Sequence, residues 1–164
     1  MNTPDHLFNT MAPDPWCITE TSLDPASNFL HETLFAVGNG YIGLRGCHEE
    51  GYKGPPGTSL DGTYLNGFYE SEPIAYPEAA FGLAKTNQYM LNVPNAKGIV
   101  LSLDGERFDV LEGEVSHYRR CLDFRTGVLE RSLEWTAPSG KRVALRSRRL
   151  ASFVHKHLLS LIHI

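Results

Sequence analysis

The chain has 164 residues, of which 41% are hydrophobic, enough to bury the core of one domain. Fifteen glycines and ten prolines are more than a helical protein tolerates, and a net charge of −4 with a pI near 5.9 argues against a nucleic-acid partner, which would favour a basic stripe. Cys17, Cys47 and Cys121 are odd in number and lack a C-x-x-C pair, which suits reduced thiols in the cytoplasm, and no apolar h-region or 18-residue apolar run supports secretion or a membrane.

Residues 1–15 carry Pro4, Pro13 and Pro15 with little periodicity and read as an extended lead-in; the domain proper is expected over 16–157. Trp16–Glu20 is a short strand candidate, and Ser27–Thr33 can form one or two helical turns capped by Asp24 or Ser27. The stretch Glu32–Gly46 then joins two apolar runs through Gly38-Asn39-Gly40. Asn-Gly suits a type I′ hairpin turn, which would set Val37 opposite Ile42 and Phe35 opposite Leu44. Four glycines between positions 38 and 46 weaken a strand unless a turn, a bulge or a close approach needs them. A structural corner of a sheet is the plain reading; a phosphate-holding loop lacks both the dinucleotide fingerprint and the P-loop Lys-Ser/Thr.

His48–Ser59 is rich in glycine and proline and belongs on the surface. A strand is expected over Thr63–Glu70, followed by a long loop over Ser71–Thr86. Two further hairpins have defined registers. Asp104-Gly105 should place Leu101 against Phe108 and Ile99 against Val110. For the second, a three-residue loop at Pro138-Ser139-Gly140 sets Trp135 opposite Val143 and Leu133 opposite Leu145, whereas a two-residue loop would scatter the apolar residues over both faces. Between them, Ser116–Phe124 is a strand with a turn at Thr126-Gly127. Six or more short strands without crossover helices predict an all-β fold, an antiparallel β-sandwich. Arg142, Arg146, Arg148 and Arg149 form the one basic cluster, most of it expected on a solvated face.

The closing Leu158–Ile164 breaks the preceding pattern, and its last six residues coincide with one reading frame of a common transposase sequencing adaptor. The natural sequence is therefore expected to stop near His157, with 158–164 a non-native tail and the chain a fragment carrying an incomplete sandwich. A genuine apolar closing strand is the alternative.

Glycoside cleavage needs a carboxylic acid and a second group that is, or activates, the nucleophile. The candidate pairs are Glu49-Glu50, Glu70/Glu72 and Glu112/Glu114, all in loop-like sequence where solvated charge is expected. The histidines lack metal-ligand spacing, with His48 and His117 standing alone, and Gly-x-Ser-x-Gly is absent. Chemistry alone therefore assigns no catalytic, cofactor-binding or metal residue. Tyr64, Phe68, Tyr69, Tyr76 and Phe81 could build an aromatic platform for a sugar or for a neighbouring domain, with core packing the plainer reading.

Leu34-Phe35 with Gly38–Gly46, Glu49-Glu50, Gly62-Thr-Tyr64 with Gly67-x-Tyr69, Leu91-Asn-Val-Pro94, and Leu122–Leu129 leading to Trp135 occur in an order and spacing that resemble the N-terminal domain of glycoside hydrolase family 65. That family comprises α-glucoside phosphorylases acting on maltose, kojibiose, trehalose and relatives. The resemblance covers about Trp16 to Phe153. It implies a super-sandwich of the galactose-mutarotase-like type, followed in the full protein by a helical linker, an (α/α)₆ barrel and a small β-domain. It further implies a barrel glutamate as general acid, phosphate attacking with inversion to release β-glucose 1-phosphate, no metal or organic cofactor, a homodimer, and a cytoplasmic location. The maltose or kojibiose type is expected, and the fragment alone is expected to be inactive. Hydrolytic acid trehalases are the alternative within the family, and a free-standing carbohydrate-binding sandwich is the alternative outside it.

Overall fold

A computed structural model describes residues 14–164 except 79. The lead-in expected over 1–15 therefore lies outside the described residues up to position 13. The elements are β1 (Cys17–Glu20), α1 (Asn28–Leu34), β2 (Val37–Gly38), β3 (Ile42–Leu44), β4 (Thr63–Pro73), β5 (Thr86–Asn92), β6 (Ser102–Leu103), β7 (Glu106–Arg107), β8 (Glu114–Asp123), β9 (Val128–Thr136), β10 (Arg142–Ala151) and β11 (Leu159–His163). They form a five-stranded sheet in the order β1-β8-β9-β10-β11, a four-stranded sheet in the order β2-β3-β4-β5, and the small β6-β7 ribbon. Every pairing between these strands is antiparallel, and the fold is the all-β sandwich that the alternating pattern predicts.

The sheets meet through Phe35, Val37, Ile42 and Leu44 on one side and Leu122 and Leu129 on the other. A second cluster, with Phe108, Tyr118, Leu133, Trp135 and Leu145, fills the other end. Trp135 is its centre: it is 1% exposed, its indole donates to the Glu112 carbonyl at 2.6 Å, and Phe108 meets its ring edge-on.

Two hairpins follow their turn chemistry. Trp135 faces Val143 and Leu133 faces Leu145, with Gly140 at φ +86° closing the three-residue loop. In the other, Asp104 and Gly105 both take positive φ, as a type I′ turn requires, and the Phe108 amide donates to the Leu101 carbonyl. Ile99 departs from the expected pairing with Val110, because its amide donates instead to the Glu49 carbonyl.

The first hairpin is corrected by two residues. Val37 pairs with Leu44 and Gly38 with Gly43, so Gly40-Tyr41 are the central residues, and Phe35 follows α1 instead of joining the strand. Asn39 is the reason. Its Oδ1 accepts from the amides of Tyr41 and Ile42 at 2.9 and 2.8 Å, and its Nδ2 donates to the carbonyls of Ser152 and Lys156 at 2.6 and 3.0 Å. Gly40 then supplies the one positive φ that a type II′ turn needs at its first central position. The loop expected over 71–86 is also shorter, because β4 runs on to Pro73 and pairs with β5, a strand that the sequence reading did not assign. The closing residues set apart in the sequence lie along β10 as β11, with Arg148 opposite Ile162.

Candidate functional site

The outer face of the four-stranded sheet carries a groove of ≈ 380 Å³ lined by Gly38, Gly43, Tyr41, Tyr64, Tyr69 and Met90, among others. Gly38, Gly43 and Tyr64 form one row across β2, β3 and β4, while the neighbouring rows turn Val37, Leu44 and Ile42 inward. Tyr69 and Met90 face each other across β4 and β5. Gly67, at φ +94°, lies where the register of β4 breaks between Tyr64 and Tyr69, and so resets which residues face outward. Tyr69 donates its hydroxyl to Asn66 Oδ1 at 2.7 Å, and Asn66 in turn donates to the Gly40 carbonyl at 3.2 Å.

Of the five aromatics singled out in the sequence, the groove gathers Tyr64 and Tyr69. Phe68 leaves the opposite face of β4, and Tyr76 and Phe81 are exposed in the loop between β4 and β5. No single platform forms from all five. Tyr41 and Met90 complete the walls and were not foreseen. Tyr41 could be anticipated only from the correct turn register, and Met90 only from recognising β5.

The carboxylate pairs divide. Glu70, Glu72, Glu112 and Glu114 are exposed, as expected. Glu49 and Glu50 correct the expectation of solvated charge, for they are 4% and 6% exposed and held in a buried array of ions. Arg131 Nη2 donates to both Glu50 oxygens at 2.6 and 2.7 Å and lies 3.0 Å from Glu49, while Arg149 reaches Glu49 at 3.5 Å. Arg149 also departs from the solvated basic cluster, being 2% exposed, whereas Arg142, Arg146 and Arg148 are exposed. Next to it, Glu20 meets Arg120 at 2.7 Å and His31 at 2.8 Å. Burial pushes both Glu20 and Glu50 up. For Glu20 the His31 hydrogen bond and the Arg120 charge outweigh it, and for Glu50 the Arg131 charge and hydrogen bond do so; both carboxyls end below the usual range.

His48 is also buried, and burial together with the charges of Arg131, Arg120 and Arg149 holds it well below the ordinary histidine value. Its Nδ1 lies 2.7 Å from Arg131 Nη1. These groups pair mainly with one another and are buried away from solvent. Their signal was present in the sequence, because Arg131 shares strand parity with Leu129, Leu133 and Trp135, and Arg149 with Leu145 and Ala151. Among the described residues no group of three or more His, Cys, Asp or Glu is placed to hold a metal, and no helix is long and apolar enough to cross a membrane.

Comparison with known proteins gives a consistent result. The family described as "Glycosyl hydrolase family 65, N-terminal domain" matches residues 18–162. An alpha,alpha-trehalose phosphorylase of Thermoanaerobacter brockii is 45% identical over 148 residues, covering 90% of this chain and 19% of that protein. A kojibiose phosphorylase of Halothermothrix orenii is 32% identical, over 87% of this chain and 16% of its own length. Among solved structures, a putative kojibiose phosphorylase from human microbiome superposes with a TM-score of 0.75 at 28% identity, over 88% of this chain and 19% of that one. The chain thus spans less than a fifth of the length of these relatives.

Proposed function

The chain belongs to glycosyl hydrolase family 65 as an N-terminal domain, and from that premise we propose that it is the sandwich end of an inverting α-glucoside phosphorylase. Such an enzyme takes a disaccharide and inorganic phosphate to β-glucose 1-phosphate and glucose. The observation that carries the reading is the 45% identity to a trehalose phosphorylase over 90% of the chain, joined by the kojibiose phosphorylase at 32%. Maltose and kojibiose, the substrates expected from the sequence, are accordingly joined by trehalose as the first to test.

The sandwich itself is inert in this reading. Its buried carboxylates Glu20, Glu49 and Glu50 are paired with Arg120, Arg131 and Arg149, and the acid and the phosphate site belong to a barrel encoded beyond this stretch. The full-length protein acts as a cytoplasmic homodimer without metal or organic cofactor. The test is phosphate-dependent release of β-glucose 1-phosphate from trehalose, kojibiose and maltose by the full-length gene product, with the 164-residue chain assayed beside it. Release by the full-length protein alone is the expected result. Glucose formation independent of phosphate would favour the acid-trehalase type, and turnover by the 164-residue chain would overturn the assignment.

A further inference from the structure

Of the four glycines in the Gly38–Gly46 stretch, the fold accounts for three. Gly40 takes the positive φ of the turn. A Cβ on Gly46 would stand 2.7 Å from the Phe35 side chain, and one on Gly38 would stand 3.1 Å from the Ile42 carbonyl oxygen. Gly43 has neither reason: its φ is not positive, and a Cβ built on it meets nothing within 4 Å. Tyr64, its neighbour on β4, does not cover it either, for the Tyr64 ring leans towards Gly62, reaching within 2.7 Å of where a Cβ there would stand. A glycine inside a strand costs stability, and where neither turn nor internal contact requires it, the remaining reason is close approach by something from outside.

The same face has two more uncovered features. Residues 66–73 of β4 and 86–90 of β5 form a ribbon exposed on both sides, with Phe68 56% and Tyr89 40% accessible, and a two-stranded ribbon is marginal in water by itself. Along its free edge β5 reads Thr-Asn-Gln-Tyr-Met-Leu-Asn, without the charge or proline that guards an exposed edge. Of the groove's polar side chains, Asn66 and Tyr69 are already bonded to each other and Asn66 to the Gly40 carbonyl, so beside the hydroxyls of Tyr41 and Tyr64 the site offers mainly aromatic and apolar contact and bare backbone. The occupant is therefore polypeptide, and the relatives carry more than four-fifths of their length outside the matched region.

We propose that the outer face of the four-stranded sheet, floored by Gly43 and flanked by the β4–β5 ribbon, is the seat on which the remainder of the same polypeptide docks. This rests on the reading of the chain as one end of a larger enzyme and names the surface that joins it.

The experiment places Gly43→Val in the full-length gene product and in the 164-residue chain, with Ala144→Val, on the exposed outer side of β10, as control. In the full-length protein Gly43→Val speeds proteolytic release of the sandwich about tenfold, as overpacking a tight contact predicts. Ala144→Val leaves release unchanged, and the melting temperature of the 164-residue chain does not fall with Gly43→Val. Equal release from the two full-length variants overturns the proposal, as does a gene that ends at residue 164. So does calorimetric binding of trehalose, kojibiose or maltose to the 164-residue chain that Gly43→Val abolishes, which would give the groove to a saccharide. Phosphorolysis is scored separately: release that responds to Gly43→Val in a protein making no glucose 1-phosphate leaves the docking surface standing and removes the phosphorylase reading.

Discussion

Glu20 and Arg120 face each other across β1 and β8, a hundred residues apart in the chain, and close an ion pair of 2.7 Å in which both side chains are almost wholly buried. Arg120 also donates to the Gly46 carbonyl at 2.8 Å and covers the Phe35 ring at 4.3 Å. One guanidinium thus joins β1, the chain after β3 and the residue that follows α1. Replacing it by methionine keeps much of the volume but strands the Glu20 carboxylate, so Arg120→Met is expected to lower unfolding stability by about 3–5 kcal/mol. Urea denaturation followed by Trp135 fluorescence measures this, and a loss below about 1 kcal/mol would mean that His31 and Tyr118 suffice to hold Glu20.

Acid should destabilise the fold in two stages. His48 stays neutral in the folded state far below its ordinary value of 6.5, whereas the unfolded chain takes up its proton near that pH, so stability falls as pH drops below about 6.5. Glu20 and Glu50 have folded values below their ordinary 4.5. Their contribution is complete above about 4.5 and drains away as pH falls through the lowered values. Melting curves between pH 8 and pH 3 should show both declines, and His48→Gln should remove the upper one while leaving the lower.

Asn39 is a third point of leverage. Asn39→Ala deletes the two hydrogen bonds donated to Ser152 and Lys156 and the two accepted from Tyr41 and Ile42, at an expected cost of about 1–3 kcal/mol. Hydrogen exchange should quicken in β3 and in residues 152–158 together. Quickening confined to β3 would show that the side chain serves its own turn and not the tether.

Turn chemistry was legible where it was local. Asp104-Gly105 and Pro138-Ser139-Gly140 are surrounded by alternating apolar residues, and burial of those residues admits only one register. Asn39-Gly40 misled because the asparagine side chain is committed at both ends, its Oδ1 to the Tyr41 and Ile42 amides and its Nδ2 to carbonyls more than a hundred residues away, a combined demand that overrides dipeptide preference. The buried arginines were obscured by their chemistry, although each falls in phase with core residues on its strand. Strand β5 and the end of β4 beyond Glu70 could not be read from periodicity, because both faces of their ribbon are exposed and alternation records burial on only one. Groove residues Tyr64 and Tyr69 were picked out as aromatics; their meeting depended on the break at Gly67, which no spacing rule announces.

The ladder between β1 and β8 also sets a timetable for synthesis. Cys17–Glu20 leave the ribosome early, yet their partners at 120–123 follow about a hundred residues later, and the Asn39 tether waits for residue 156. Such distant closures make folding slow. Until they form, β1 has an open flank on the nascent chain, and a chaperone that binds extended apolar segments would find Trp16–Thr19 uncovered.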